Sequence, residues 1–328
     1  MFDFVVRRYN LIFFEIQKED EFRKPGFSKE RRLEPQIIVG LLVDETGFPL
    51  MVHSFEGNKA ETLTFVPVIK KFVETIKLDK VTIVADAAMF SEKNLEAIED
   101  LGFDFIVASR VAKTPYKIAE YKDGHPGEKI PDQKIFVQTK EMGASNNRRT
   151  RTVIYQYRED RARLDFRNID KQVSKASKVI TGKLPVTRTR FVKISGTKAK
   201  IDDELIASAK SRAGIKGYVT NLQNPNPKTV IEAYHQLFEV ERSFRMSKHD
   251  LKARPIFHQI GDSINAHLTI VFASLAISRI VQKQTQMSIS RYVKLLRPIR
   301  SATVEISGQT ITIQPRIPEA ILKLKRGD

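Results

Sequence analysis

The stretch VTIVAD at residues 81–86 limits the possible folds more than any other part of the chain. It is a short, uninterrupted apolar run that ends in a carboxylate, and such a run is typical of a β-strand buried on both faces. Strands of this kind lie in sheets that are covered by helices on both sides. The pattern therefore predicts an α/β protein.

The segments around this strand alternate between strand-like and helix-like patterns. An amphipathic helix is predicted over residues 61–76, and a second helix, capped by Ser91, is predicted to run to Leu101 and to be followed by a strand at 103–110. The predicted order is β-β-β-α-β-α-β. Its first three strands form an antiparallel meander and lie at residues 5–15, 36–43 and 50–55.

The character of the sequence changes after residue 110. Residues 111–216 are polar, basic and broken by glycine and proline, which predicts a β-rich insertion. Residues 217–285 return to core character and carry a long helix over 233–255 and another over about 256–282. We therefore predict a core in two parts, 1–110 and 217–285, separated by the insertion, and a C-terminal tail at 286–328 that contains a hairpin.

Charge is unevenly distributed along the chain. The formal net charge is +17, from 56 Lys plus Arg and 39 Asp plus Glu, and residues 148–216 alone hold 19 basic and 7 acidic residues. Such an excess attracts polyanions and releases their counterions, which favours nucleic acid as a partner. A solvated basic surface is the alternative.

Several classes of protein are excluded by composition. The chain has no cysteine, which excludes disulfides, thiolate metal sites and cysteine nucleophiles. Its apolar runs fall short of the ~18 residues of a membrane span, so no membrane partner is expected. The N-terminal residues do not resemble a secretory signal, and we expect a cytoplasmic protein.

The predicted helix at 233–255 carries charge where an apolar face is expected. Tyr234, Glu241 and Lys248 are spaced by seven residues, which returns each to within about 20° of the last on a helix. Apolar residues flank this row, so it is predicted to point inward. A buried carboxylate needs a partner. Glu241 could pair with Arg245 one turn along, or it could hold a metal ion.

A second carboxylate favours the metal. Asp86 ends the predicted buried strand, and in open α/β sheets the carboxyl ends of strands converge on the active crevice. Alone, Asp86 could equally cap the following turn. Together with Glu241 it indicates a site for Mg²⁺ or Mn²⁺, which prefer oxygen ligands and can support phosphodiester chemistry.

These stretches resemble the insertion-sequence transposases of the DDE type. The most specific element is the signature Tyr-x2-Arg-x3-Glu-x6-Lys, matched here by Tyr234, Glu241 and Lys248, with Leu237 in the arginine position. The segment VADAAMFSEKNL resembles the motif of the second aspartate and assigns it to Asp86. Further similar segments are GFSKERR, GLLVDETGFPL, FEGNKAET and RPIFHQIGDSINAHLTI.

The resemblance implies a fold, a set of ligands and partners. The fold would be RNase H-like, a mixed sheet flanked by helices with the β-rich insertion before the last catalytic acid. Asp86 and Glu241 would be catalytic ligands of Mg²⁺ or Mn²⁺, and Tyr234, Arg245 and Lys248 would bind DNA. The partner would be double-stranded DNA, both transposon ends and target, held by a homodimer in a synaptic complex near a bacterial or archaeal nucleoid.

The first strand departs from the family pattern. In the family it carries an aspartate, whereas this chain has RRYNLIFFE, with Arg7 or Arg8 in that place. An arginine cannot ligate a cation. Relatives also carry an upstream helical segment, which leads us to expect an incomplete gene product. Three hypotheses follow: an active transposase, an inactive remnant that still binds DNA, and a stand-alone nuclease.

Overall fold

The computed structural model of the protein describes residues 2–12, 36–44, 46–56, 61–76, 80–86, 91–143, 147–185, 189–195, 198–246, 251, 258, 260–306, 308–317 and 321. In chain order the elements are β1 (Phe2–Ile12), β2 (Gln36–Asp44), β3 (Pro49–Glu56), α1 (Glu61–Ile76), β4 (Val81–Ala85), α2 (Glu92–Asp100), β5 (Asp104–Ser109), α3 (Tyr116–Gly124), β6 (Ile135–Met142), β7 (Arg149–Tyr157), α4 (Glu159–Ile180), β8 (Val192–Ser195), β9 (Lys198–Ile201), α5 (Asp203–Ser211), β10 (Ile215–Thr220), α6 (Pro227–His235), α7 (Leu237–Arg245), α8 (Gly261–Thr285), α9 (Ile289–Leu296), β11 (Ala302–Ile306) and β12 (Gln309–Ile313). The predicted order of the first seven elements is confirmed.

The chain divides into two compact units. The first unit comprises Met1–Asp3 and Lys77–Leu237, and the second comprises Phe4–Ile76 and Phe238–Asp328. Each unit is formed from segments that are distant in sequence.

The first unit is built on a five-stranded mixed sheet in the order β4-β5-β10-β7-β6. β4 and β5 run parallel, while β10 is antiparallel to both of its neighbours and β6 is antiparallel to β7. All five residues of β4 are buried, as its uninterrupted apolar sequence predicts. Helices flank this sheet: α2 and α6 pack on β5, α6 also packs on β4, and α3 packs on β6. The prediction of a mixed α/β sheet flanked by helices is confirmed.

A buried ion-pair network fixes α2 on this sheet. The side chain of Arg151 is fully buried, and its Nε and Nη2 each donate to a Glu99 carboxylate oxygen at 2.9 Å. Its Nη1 donates to Glu92, and its guanidinium lies over the Phe105 ring. Burying an unpaired charge costs several kcal/mol, and the bidentate ion pair with Glu99 compensates the buried charge of Arg151. Ser91 caps α2 as predicted, accepting a hydrogen bond from the Asn94 amide.

The segment 111–216 is a mixture of strands and helices. The runs IFVQT and TVIYQY lie in β6 and β7, and a short hairpin of β8 and β9 follows. The segment also contains α3, α5 and the 22-residue α4, so it is mixed rather than β-rich. The helix α4 was not predicted because its apolar stripe is sparse. Its buried residues are Ala162, Ile169, Ala176 and Val179, separated by charged side chains.

The second unit contains the predicted meander. β1, β2 and β3 pair antiparallel, with Arg7 opposite Leu41 and Leu41 opposite Val52. α1 has the predicted bounds. The C-terminal hairpin of β11 and β12 also forms, and Gly308 at its turn has a φ of +77°.

The longest helix of the second unit, α8, buries one face. Ile264, Leu268, Val271 and Leu275 are buried at spacings of three and four residues, and α8 packs on β3. By length and composition alone α8 could also cross a membrane: its most apolar window has a mean hydropathy of 1.6, with 28% of that window buried.

Candidate active site

Strand ends from four elements meet at one edge of the first unit's sheet. Ala85, the last residue of β4, pairs with Val107 near the end of β5, and Asp86 follows it directly. Because β10 runs antiparallel, its beginning lies at the same edge, with Gly217 opposite Ser109 and Ile215 opposite Tyr157. Asp86, the ends of β5 and β7 and the beginning of β10 therefore converge, as expected for a ligand crevice in an α/β sheet.

A cavity of 610 Å³ opens at this edge. Asp86 and Tyr234 both line it, together with Lys216 and Gly217 of β10. Positive charge dominates its walls, since five basic side chains face two carboxylates; the charged lining residues are Asp86, Arg110, Arg161, Asp165, Arg190, Arg212 and Lys216.

Asp86 has the environment of an accessible ligand. It is half-buried, and it accepts no hydrogen bond from any residue that the structure describes. Its carboxylate oxygens suit a hard divalent cation. Within the described parts of the chain, no group of three acidic or histidine side chains is placed to hold a metal ion. Asp86 therefore fits as one ligand, and a complete ligand set is not formed by the described residues.

Lys216 is the most unusual cation of this cavity. It is half-buried, and its Nζ lies 4.3 Å from the centroid of the Tyr234 ring and 5.4 Å from that of Tyr218. Burial, reinforced by the nearby charge of Arg161, lowers the pKa of Lys216, and the attraction of Asp86 opposes that shift only in part.

Tyr234 is held firmly against the sheet. Its side chain is buried, and its ring meets that of Tyr218 edge to face at 5.1 Å between centroids. Burial raises the pKa of Tyr218 to about 12, so this tyrosine adds no negative charge to the cavity region at neutral pH. The structure thus brings two of the predicted site residues, Asp86 and Tyr234, to one cavity.

The predicted long helix is interrupted before Glu241. α6 ends at His235 and α7 begins at Leu237, so the spacing of seven residues does not follow one continuous helix. Tyr234 is buried, but Glu241 and Arg245 are exposed on α7, in the second unit. The expectation that the whole row points inward is wrong for Glu241. Lys248 lies outside the described residues.

Hydrogen bonds anchor α7 to the turn between β2 and β3 and to α8. The buried Ser243 hydroxyl donates to the Gly47 carbonyl at 2.7 Å. Arg279 of α8 donates to the Glu239 carboxylate at 2.8 Å and to the Thr46 carbonyl. Burial alone would raise the pKa of Glu239, but hydrogen bonds from Arg279 and Arg242 outweigh it and lower that pKa below its usual value. These contacts fix the helix that carries Glu241.

The cavity residues that were not identified from the sequence include three basic ones: Lys216, Arg161 and Arg110. Each lies beside an element boundary, Arg110 just after β5, Arg161 in the first turn of α4 and Lys216 near the start of β10. The excess of basic residues at 148–216 was the available signal for Arg161 and Lys216, whereas Arg110 lies outside that segment. The antiparallel position of β10 decides which of these basic residues line the cavity, and the sequence does not reveal that position.

Comparison with known proteins identifies a family. The model of the transposase DDE domain matches residues 12–277, most of the chain. No curated protein sequence matches. A similar solved structure is the piggyBac transposase synaptic complex with hairpin DNA, at 9% identity and a TM-score of 0.47; the alignment covers 90% of this chain and 51% of that one, so this chain spans about half its length. On the strength of the family match, the chain belongs to the family of proteins with a transposase DDE domain.

Proposed function

We propose that this transposase cuts DNA at insertion-sequence ends and joins the freed ends to a target by metal-assisted phosphoryl transfer. The observation that carries the proposal is Asp86, an accessible, half-buried carboxylate at the end of β4, beside a cavity with basic walls. A carboxylate provides a cation ligand and the basic walls suit a phosphodiester, which are the two components such a reaction requires.

The site residues have distinct roles in this proposal. Asp86 and Glu241 would hold Mg²⁺ or Mn²⁺, which supplies Lewis-acid activation and charge neutralisation at the phosphodiester when bound. Tyr234, Arg245 and Lys248 would bind DNA. Glu241 and Arg245 are exposed on α7, so both side chains are accessible to a ligand.

The proposed partner is double-stranded DNA, both transposon ends and target, engaged by a homodimer in the cytoplasm of a bacterium or archaeon. The net charge of +17 supports a polyanionic partner. The Arg-rich and Lys-rich segment 148–216 provides most of that excess.

The test is a cleavage assay on a plasmid that carries the terminal DNA of the element encoding this chain. With Mn²⁺ we expect nicked and linear products, and Asp86→Asn and Glu241→Gln should each lower the rate by about a hundredfold or more. Asp123→Asn, a matched change of an exposed acid on α3, should leave the rate unchanged. Wild-type rates in either site variant, with circular dichroism showing an intact fold, would exclude these residues as ligands. Cleavage without strand transfer would indicate a stand-alone nuclease.

An inactive remnant that binds DNA is the second candidate function. It is favoured by β1, where Arg7 pairs with Leu41 in the strand that bears an aspartate in the family pattern. This candidate predicts that the chain shifts duplex DNA without nicking it. Arg7→Asp or Arg8→Asp should then restore some Mn²⁺-dependent cleavage, whereas robust cleavage by the unaltered chain would eliminate it.

A further inference from the structure

The basic cavity beside Asp86 has more positive charge than two carboxylates can balance, and this excess indicates a ligand. We propose that the cavity binds a phosphodiester of a DNA strand directly, with Lys216 as the principal contact and Arg110 and Arg161 beside it, independently of any metal ion. The inference rests on the proposed function in taking DNA as the polyanion.

Lys216 forms no close ion pair with a carboxylate of the described residues. Its ammonium group packs on the Tyr234 ring at 4.3 Å. Asp86 attracts this charge, but from beyond ion-pair distance. A half-buried charge of this kind is poorly solvated, which makes an anionic ligand favourable. The lowered pKa of Lys216 agrees with this geometry.

Two arginines of the cavity are available for the same ligand. The side chain of Arg110 forms no hydrogen bond or ion pair with the described residues, and Arg110 is exposed just after β5. Arg161 has only a loose contact, 3.7 Å from Asp165. Arg212 and Arg190, by contrast, are occupied: Arg212 donates to the Ser208 carbonyl at 2.7 Å and Arg190 to Gln172 at 3.3 Å. Lys216 and Arg110 therefore have no ion-pair partner among the described residues, and Arg161 has only its long contact with Asp165.

The size of the cavity suits part of a nucleic-acid strand. Its volume of 610 Å³ falls within the range of about 300 to 1,000 Å³ that is usual for small-molecule sites. This volume is larger than one phosphate ion needs. Because Asp86 lines the same space, a strand held by Lys216 would run past the proposed metal ligand. Lys216 would thus be a binding and positioning residue.

Equilibrium binding of a fluorescent DNA duplex to the full chain in EDTA tests this assignment. Lys216→Met should bind DNA more weakly, because one phosphate contact is lost. The plot of log affinity against log salt should become less steep, its slope falling in magnitude by about 0.9. Lys216→Arg, which keeps the charge, should bind like the wild type. The matched control is Lys140→Met: Lys140 is exposed on β6 opposite Arg151, six residues along β7 from Tyr157 and so about 20 Å from the cavity edge.

The pH dependence provides a second measurement. The groups that face Lys216 are Asp86, Arg158, Arg161, Tyr218, Tyr234 and His235. Because the pKa of Lys216 is lowered, the wild type should lose affinity as the pH rises through that value, below the usual 10.5. Lys216→Arg should hold its affinity over the same range, since a guanidinium stays charged.

Three results would overturn the proposal. Lys216→Met could keep the wild-type affinity and salt slope, which would place the phosphate elsewhere. Lys216→Arg could fail as badly as Lys216→Met, which would show a packing role against Tyr234. Inorganic phosphate could bind this site as tightly as DNA in a calorimetric titration, which would make it a small-anion site. All three are measured without metal, so a failure of metal-dependent cleavage would leave this assignment intact.

Discussion

Gly214 lies two residues before Lys216 and sets the direction in which β10 begins. Its φ of +82° lies in the left-handed region, and a Cβ there would approach Ala162 and the Tyr157 ring to 2.7 Å. Its amide donates to Asp165 and its carbonyl accepts from the Arg158 amide. The hydrogen bonds of this one glycine therefore join the beginning of β10 to the first turns of α4 beside the cavity.

Gly214→Ala should lower the free energy of unfolding by about 2 to 4 kcal/mol, from left-handed strain together with overpacking. The matched control is Gly182→Ala, with a similar φ of +72° but nothing within 4 Å of the added Cβ. It should cost only about 1 kcal/mol. Urea denaturation followed by circular dichroism measures both. Equal losses in the two variants would mean that the neighbours of Gly214 move aside freely.

The position of Asp86 at the end of a buried strand could be predicted, because this residue directly follows an uninterrupted apolar run. Lys216 could not, because its importance comes from β10 lying antiparallel between β5 and β7, a pairing between segments about 60 to 110 residues apart. The side chain of Glu241 was predicted to point inward, but it is exposed. The helix is also interrupted at Gln236, which no proline or glycine marks.

At the scale of elements, one hydrogen-bonded carboxylate helps to hold α7 in place. Glu239 accepts hydrogen bonds from Arg279 of α8 at 2.8 Å and from Arg242 at 2.9 Å. Its pKa is lower in the folded protein than its usual 4.5. The stabilisation is therefore fully present above the unfolded pKa, and it is lost as the pH falls through the lower folded value.

Glu239→Gln should reduce the free energy of unfolding at pH 7 by about 1 to 2 kcal/mol, because charged hydrogen bonds are lost. The difference from the wild type should shrink as the pH is lowered from 5 toward 3, since the wild-type carboxylate is then protonated. Urea denaturation across that range measures it. Glu74→Gln on α1, which removes an exposed pair with Lys70 at 4.0 Å, should cost less than about 0.5 kcal/mol at every pH. A difference for Glu239→Gln that does not change with pH would contradict the linkage.

The elements that were predicted well are those with dense apolar patterns. α1 has the predicted bounds, and β4 ends one residue before its predicted end. α4 was missed because its buried residues are few and two of them are alanines, so tertiary packing rather than local pattern decides its structure.

At the scale of the whole molecule, the distribution of charge matters more than its total. Four of the basic residues at 148–216 form an exposed stripe on α4 at spacings of four, four and three residues; they are Arg167, Lys171, Lys175 and Lys178. Side chains at these spacings share one helix face. We expect this stripe to follow the DNA backbone.

Replacing all four stripe residues by Gln should reduce the magnitude of the salt slope of DNA binding by up to about 3.6, the value for four lost phosphate contacts. The control replaces four exposed arginines and lysines of the second unit by Gln: Arg291, Lys294, Arg297 and Arg300. Both variants change the net charge equally, from +17 to +13 by the formal count. If the two slopes fell together, DNA would be responding to total charge alone. A fall confined to the α4 variant would instead show that the segment between the two parts of the predicted core is the surface on which DNA lies.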